Sequence, residues 1–504
     1  MRMTPIKTLA VACAFALGLS GAAMAQDAKS DAKPDAKAAE KIDFAPFPAD
    51  AHISQVTHVA GKTVNYTATV GSLPVRDEKG KKIAEVVFTA YIADGAKDPN
   101  RPVTFAFNGG PGASSVYLNL GAIGPKRVQF GARGNGPSDS PVLTDNPGTW
   151  LDFTDLVFID PVGTGFSRSL VSQDETKKRF YAVKPDIEYL SRIVYDWLLK
   201  NGRMQSPKYV VGESYGGFRG PRITNYLQTQ LGVGVNGVVL VSPLLDDGLR
   251  RDGDVSPMPW MINLPSITAA NLERQNKLTP EAMAEVERYT RGEYMTALVN
   301  GRRDPAGQQA MEAKVTAMTG LDPRFVHQLG GRLETQAYLR EVFRDRGELG
   351  SRYDSNVTGY DPFPWAPQQQ AGDPILDQIV APTTSAMVDF VTRQVGWKVE
   401  GRYEALSNDV NRLWDRGRAA DGESVTALRS SVALDPKLKV LIVHGYNDLS
   451  CPYFASLLIV DQMPVMGDPN RVQVKAYPGG HMFYSRPDSG AALRKDVMSV
   501  YGAS

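Results

Sequence analysis

Gly212-Glu213-Ser214-Tyr215-Gly216 is the stretch that most restricts what this chain can fold into. It follows the apolar run Tyr209-Val210-Val211 and precedes a helical pattern running from Phe218 to Leu231. A serine between glycines at a strand-to-helix junction fits one sharp turn, where side chains at the flanking positions would collide. That turn holds the hydroxyl at the C-terminal end of a strand, near the positive end of a helix.

The surrounding pattern agrees with such a turn. Thr63–Val70 alternates and Ile83–Ile92 is rich in β-branched and aromatic residues, with Asp77-Glu78-Lys79-Gly80 as the turn between them. Short apolar runs follow at Val103–Phe107, Leu156–Ile159, Val238–Val241 and Val440–Val443, and helical stretches such as Ile187–Lys200 separate several of them. Continuous apolar strands alternating with helices predict an α/β fold, a mostly parallel central sheet flanked by helices. Residues 252–435 break the rhythm, because they lack a clear buried strand. Thr279-Pro280 starts one helix there and Thr335–Phe343 offers another. The region is expected to be a mostly helical cap inserted between core segments 46–251 and 436–504, with a separate second domain as the alternative.

The first residues are of a different kind. Arg2 and Lys7 flank the start of the apolar run Leu9–Ala23, and Ala23-Met24-Ala25 has the small-x-small form of a processing site. Residues 1–25 therefore read as a signal peptide cleaved near Ala25-Gln26. The run is shorter than the ~20 residues a membrane span needs, so no stable anchor is expected after cleavage. Gln26–Lys41 repeats Asp-Ala-Lys three times without a large apolar residue, and 26–45 reads as a disordered linker. Over the whole chain 56 Lys and Arg balance 55 Asp and Glu, which leaves no field for steering nucleic acid. Loss of the leader would leave Cys451 as the sole cysteine, excluding a disulfide framework and a Cys-built zinc site.

Ser214 needs a base, and five histidines are available. His52 and His58 precede the expected sheet, His327 falls in the cap, and His444 directly follows an apolar strand. His481 sits in the glycine-flanked loop Gly479-Gly480-His481, free to present an imidazole at the sheet's edge. Hydrolases of this layout order their residues Ser, Asp, His, which favours His481 as the base. Asp448, in the loop after the Val440–Val443 strand, is the expected acid, with Asp246 and Asp247, which follow an apolar strand ahead of the insertion, as its main competitors. A second glycine cluster, Asn108-Gly109-Gly110-Pro111-Gly112, follows the Val103 strand without the Lys-Ser/Thr of a phosphate loop. Its backbone N–H groups suit an oxyanion hole, built from Gly110 and the residue after the nucleophile, Tyr215.

Five motifs in order then carry a family resemblance: FNGGPGASS at Phe107–Ser115, DPVGTGFS at Asp160–Ser167, GESYGG at Gly212–Gly217, HGYNDLSC at His444–Cys451 and GGHM at Gly479–Met482. The chain resembles the serine carboxypeptidases of the α/β-hydrolase fold. The resemblance implies a Ser214-Asp448-His481 triad, Gly110 and Tyr215 as oxyanion donors, and Asn108 with Glu213 as the site for a peptide's free C-terminal carboxylate. It further implies acyl-enzyme chemistry on peptides with no metal or organic cofactor. With the N-terminal leader, the expectation is a secreted protein of bacterial type in the periplasm. Two facing carboxylates repel, so Glu213 is expected to bind substrate best when protonated. The family often has a Glu two residues before the Gly-Pro that follows NGGPG, available to pair with Glu213; here that position is Ala122. Esterase or acyltransferase chemistry on the same machinery, or a non-enzymatic binding protein on a decayed hydrolase scaffold, are the alternatives.

Overall fold

The computed structural model describes residues 45–503 apart from 96–99, 131–136, 252, 367–368 and 419–420. The expected signal peptide, and the expected linker up to residue 44, lie outside the described residues. Nine strands make up the run of the main sheet: β1 (Ala51–Val59), β2 (Lys62–Arg76), β3 (Lys82–Ala93), β4 (Val103–Phe107), β5 (Asp155–Ile159), β6 (Lys208–Glu213), β7 (Gly237–Val241), β8 (Lys439–Gly445) and β9 (Val472–Tyr477). They lie in the order β1-β2-β3-β5-β4-β6-β7-β8-β9, with the short piece Arg168–Ser169 added to β3. The pairs from β1 through β3 to β5 are antiparallel, and every pair from β5 to β9 is parallel. The sheet is thus mostly parallel, as the uninterrupted apolar runs require.

Those runs are apolar on both sides because both faces are covered. In β7, Val238 and Leu240 enter one hydrophobic core while Val239 and Val241 enter the other. Helix Val183–Lys200 and the helix after the elbow, Tyr215–Gln230, supply Ile193, Trp197, Ile223 and Leu227 to the first of these cores. Strand β1 departs from the sequence expectation. Its polar face is open to solvent, so it lacks the apolar run that marks the central strands. His52 and His58 therefore sit within the sheet's edge rather than before it.

Within 252–435, three kinds of packing occur. Residues such as Ile267, Tyr294, Val315 and Tyr338 form a core of their own, joined by Leu449, Tyr453 and Phe454. Met387 and Phe390 instead pack into one core of the main sheet, and Leu428 and Val432 into the other. The helices Pro374–Asp389 and Val425–Leu434 thus build the sheet's covering layers.

A buried ion pair ties the elbow helix to its neighbour. Arg219 Nε lies 2.7 Å from Asp186 Oδ2, with both side chains almost fully enclosed. Arg219 Nη1 also donates to the carbonyl of Asn108 at 2.9 Å, so the pair anchors the start of the glycine loop. Removing one partner leaves a buried charge uncompensated, whereas replacing both by apolar groups is often neutral. Arg219→Met should lower unfolding free energy by about 3–5 kcal/mol in denaturant titration at neutral pH, and adding Asp186→Leu should recover much of that loss.

Candidate active site

Ser214 occupies the junction between β6 and the elbow helix with φ +61° and ψ −122°. A non-glycine residue there carries strain of about 1–3 kcal/mol, which surrounding structure must hold. Its amide donates to Val241 O at 3.0 Å, and its carbonyl accepts from Gly217 and Leu244 at 2.9 and 3.1 Å. Three backbones meet here without room for side chains. A Cβ on Gly109 would overlap the Tyr215 nitrogen, one on Gly212 the Gly216 carbonyl, and one on Gly216 the Phe107 carbonyl.

Gly110 and Tyr215 line one cleft with Ser214, of about 350 Å³. Among the described residues neither amide donates to another protein group. The glycine loop is fixed from behind: Asn108 Oδ1 accepts the Leu118 amide at 2.9 Å, and Asp160 Oδ1 accepts the Ser115 amide at 2.8 Å. Asp160, from the DPVGTGFS motif, is buried beneath that loop. Burial pushes its carboxyl up to about 7, against the opposing pull of Ser115 and Tyr403.

Asp448 and His481 lie in the loops that follow strands β8 and β9. The loop after β8 folds so that Asp448 Oδ1 accepts the amides of Ser450 and Cys451 at 2.7 and 2.8 Å. Its Oδ2 lies 2.7 Å from His481 Nδ1, and both groups are buried. A carboxylate acceptor at that distance places the imidazole proton on Nδ1 and leaves Nε2 as the basic nitrogen. Burial works against the imidazolium, but Asp448, with the Cys451 sulfur beside it, outweighs that and holds His481 well above the ordinary histidine value. Ser214 and His481 line the same cleft without a direct hydrogen bond among the described residues, a contact that tightens in many enzymes only with substrate bound.

The competitors are engaged elsewhere. Asp246 caps the Gly248 amide at 2.7 Å, and Asp247 pairs with Arg251. His444 is buried, with Nε2 2.8 Å from Ser456 Oγ and Nδ1 3.1 Å from Cys451 O. Burial lowers it to about 4, so it stands neutral beneath the acid loop. His58 and His327 pair with Asp145 and Glu312, far along the chain from these loops. Ligand atoms of Asp448, Cys451 and His481 lie within 4.8 Å of one another. Both Asp448 oxygens and His481 Nδ1 are already committed, which leaves too few donors for a metal centre.

Asn108 and Glu213 also meet, with Asn108 Nδ2 donating to Glu213 Oε2 at 2.7 Å. Sequence reasoning missed the third member of this group. Tyr484 directs its hydroxyl at Glu213, 2.9 Å from Oε1 and 3.1 Å from Oε2. Its ring lies 3.6 Å from where a Cβ on Gly121, in the helical segment Leu118–Ile123, would stand. The small side chain of Ala122 and an aromatic three residues after His481 were the available signals. Burial pushes the Glu213 carboxyl up; His481, Tyr484 and Asn108 pull it down, and Asp448 adds a smaller repulsion.

Residues of the segment 252–435 are fastened to these same loops. Arg486, five residues after His481, pairs with Glu273 of the helix Met258–Arg274 and with Asp354 at 2.7 Å. Asn447, beside Asp448, donates to Glu273 at 2.5 Å.

A serine on a strained strand-to-helix turn, over a mostly parallel sheet with helices on both faces, defines an α/β-hydrolase. Within that class residues 61–321 match the serine carboxypeptidases, and the chain belongs to the serine carboxypeptidase family. It is 32% identical over 160 residues to serine carboxypeptidase-like 50 of Arabidopsis thaliana, covering 31% of this chain and 33% of that protein. It is 31% identical over 183 residues to a pheromone-processing carboxypeptidase of Aspergillus niger, covering 35% and 27%. The chain thus spans about a third of the length of these relatives. The crystal structure of a prohormone-processing carboxypeptidase from Saccharomyces cerevisiae shares the fold, with a TM-score of 0.57 at 18% identity over 87% of this chain and 91% of that one.

Asp160 generates a stability prediction. Its folded-state value near 7 lies above the ordinary 3.8, so folding favours the protonated form. The contribution is complete below the unfolded value and is lost as pH rises toward 7. Asp160→Asn should flatten that decline in thermal unfolding measured from acid to neutral pH.

Proposed function

We propose that the protein is a serine-type carboxypeptidase that releases C-terminal amino acids from peptides. The observation that carries this reading is the Asn108–Glu213 pair in the cleft of Ser214, a place where a carboxylate can be received beside a nucleophile. Ser214 attacks the last peptide carbonyl while His481 Nε2 takes its proton, and Asp448 holds the imidazole and stabilises its charge. The Gly110 and Tyr215 amides receive the oxyanion. His481 returns the proton to the leaving amino acid, and water then releases the acyl-enzyme by the same steps in reverse order. Esterase or acyltransferase chemistry has no use for the Asn108–Glu213 pair. Secretion to a bacterial periplasm is proposed with it, on the leader at Met1–Ala25. Among the described residues no helix is long and apolar enough to cross a membrane.

Mass spectrometry of a peptide mixture should show loss of C-terminal residues with the wild type and none with Ser214→Ala. Trimming by that variant, or equal trimming of C-terminally amidated peptides, would reject the reading.

Glu213 should receive a substrate carboxylate as the protonated acid, since two carboxylates repel. Peptide kcat/KM is therefore expected to fall as pH rises through the Glu213 pKa, while esters without a free carboxylate escape that loss. The groups acting on Glu213 are His481, Tyr484, Asn108 and Asp448, with Tyr117 close by. Among these, Tyr484 favours the charged form by donating its hydroxyl proton. Tyr484→Phe should consequently move the alkaline limb of the peptide profile to higher pH, a displacement that mere loosening of the fold would not produce. An unmoved limb counts against a positioning role for Tyr484.

A further inference from the structure

The cleft around Ser214 is unevenly charged. Arg250, Arg352 and Arg416 all line it, from three separate segments. Arg250 ends the single turn Asp247–Arg250 that follows β7, Arg352 follows the short strand Glu348–Gly350, and Arg416 follows Trp414 near the rim. Among the described residues none of these three guanidinium groups forms an ion pair with a side chain. Arg352 Nη2 donates to the hydroxyl of Tyr353 at 2.8 Å, and its guanidinium carbon lies 4.9 Å from that ring's centre. Arg250 Nη2 is buried with no hydrogen-bond partner.

Two carboxyl groups line the same cleft, and neither cancels this charge. Glu213 is enclosed and held by Asn108 and Tyr484. Asp247 is occupied by Arg251, whose Nε lies 3.0 Å away. A buried donor left unpaired costs on the order of 1–3 kcal/mol, and in a cleft a ligand can complete it. A bidentate guanidinium fits a carboxylate closely. The substrate's own terminal carboxylate is already assigned to Asn108 and Glu213, which leaves the arginines for a second anionic group. At about 350 Å³ the cleft holds the residues on either side of the scissile bond rather than a long peptide.

We propose that this cleft selects peptides carrying an acidic side chain in one of their last two residues, which Arg250 receives while Arg352 and Arg416 attract it. The inference rests on the carboxypeptidase reading and names its substrate class. Matched peptides differing only as Asp against Asn, or Glu against Gln, at the last or the penultimate position provide the test. Each keeps the same free C-terminus, so attraction of the terminal carboxylate alone cancels in the comparison.

At one of the two positions the acid should exceed its amide in kcat/KM by about tenfold, the effect of one charge pair in a partly screened site. The ratio should approach one in Arg250→Met and fall part of the way in Arg416→Ala, an exposed position where the fold has little at stake. Equal rates for acid and amide at both positions would overturn the inference, as would a ratio that survives both substitutions. Trimming without acid preference rejects the selectivity alone, whereas no trimming of any peptide rejects the carboxypeptidase reading and this inference with it.

Discussion

The meeting of three backbones at Gly109, Gly212 and Gly216 is the constraint on which the rest of this structure depends. No Cβ fits at any of the three, so the end of β4, the end of β6 and the first turn of the elbow helix press directly on one another. That contact sets the Ser214 conformation at φ +61° and brings the Gly110 loop beside the Tyr215 amide. It is held from outside by the Arg219–Asp186 pair, whose third hydrogen bond reaches the carbonyl of Asn108. Fold stability and the position of the nucleophile therefore share the same contacts. A strained serine persists only where such a surround over-determines it.

Around that point, buried titratable groups of like kind are driven in different directions by their neighbours. His444 lies at the end of β8 and His481 in the loop after the adjacent β9, yet burial keeps the first neutral and Asp448 favours the charged form of the second. Asp160 and Glu213 are both pushed toward their neutral forms by enclosure, but only Glu213 opens on the cleft. At Asp448, two amides and an imidazole meet the carboxylate oxygens. Environments that separate chemically identical groups are how one site divides acid, base and structural roles.

The elbow and the glycine loop were legible because their constraint is local: a glycine is needed where the next residue or two would collide. The parallel strands were legible because burial on both faces leaves an unbroken apolar run. Strand β1 was not, since its open face carries His52, Ser54, Val56 and His58, which break the apolar run. Helix Thr279-Pro280 onward was visible from its cap, with Thr279 accepting the Ala282 amide at 3.2 Å. The division of 252–435 between a core of its own and the sheet's covering layers was not visible. An amphipathic helix shows that it has a buried face, not which surface it faces. Tyr484 was invisible for a related reason. Its role is a contact with Glu213 across 271 positions of the chain, while position 122, where the family often has a glutamate, is alanine.

That substitution changes the chemistry of the carboxylate pocket as well as its packing. A second carboxyl beside Glu213 would share a proton with it, and repulsion would hold one of the two neutral over a wide pH range. A phenol can donate to Glu213 but carries no charge to repel it, and burial keeps Tyr484 protonated far above its ordinary value. Burial, with a smaller repulsion from Asp448, then favours the protonated form, while the His481 charge, Tyr484 and Asn108 oppose it. The balance between these terms makes the pocket more sensitive to whatever enters it. On the proposed carboxypeptidase reading, a substrate carboxylate arriving beside Glu213 would add the repulsion that a paired carboxyl supplies permanently, so proton uptake by Glu213 would be part of substrate binding.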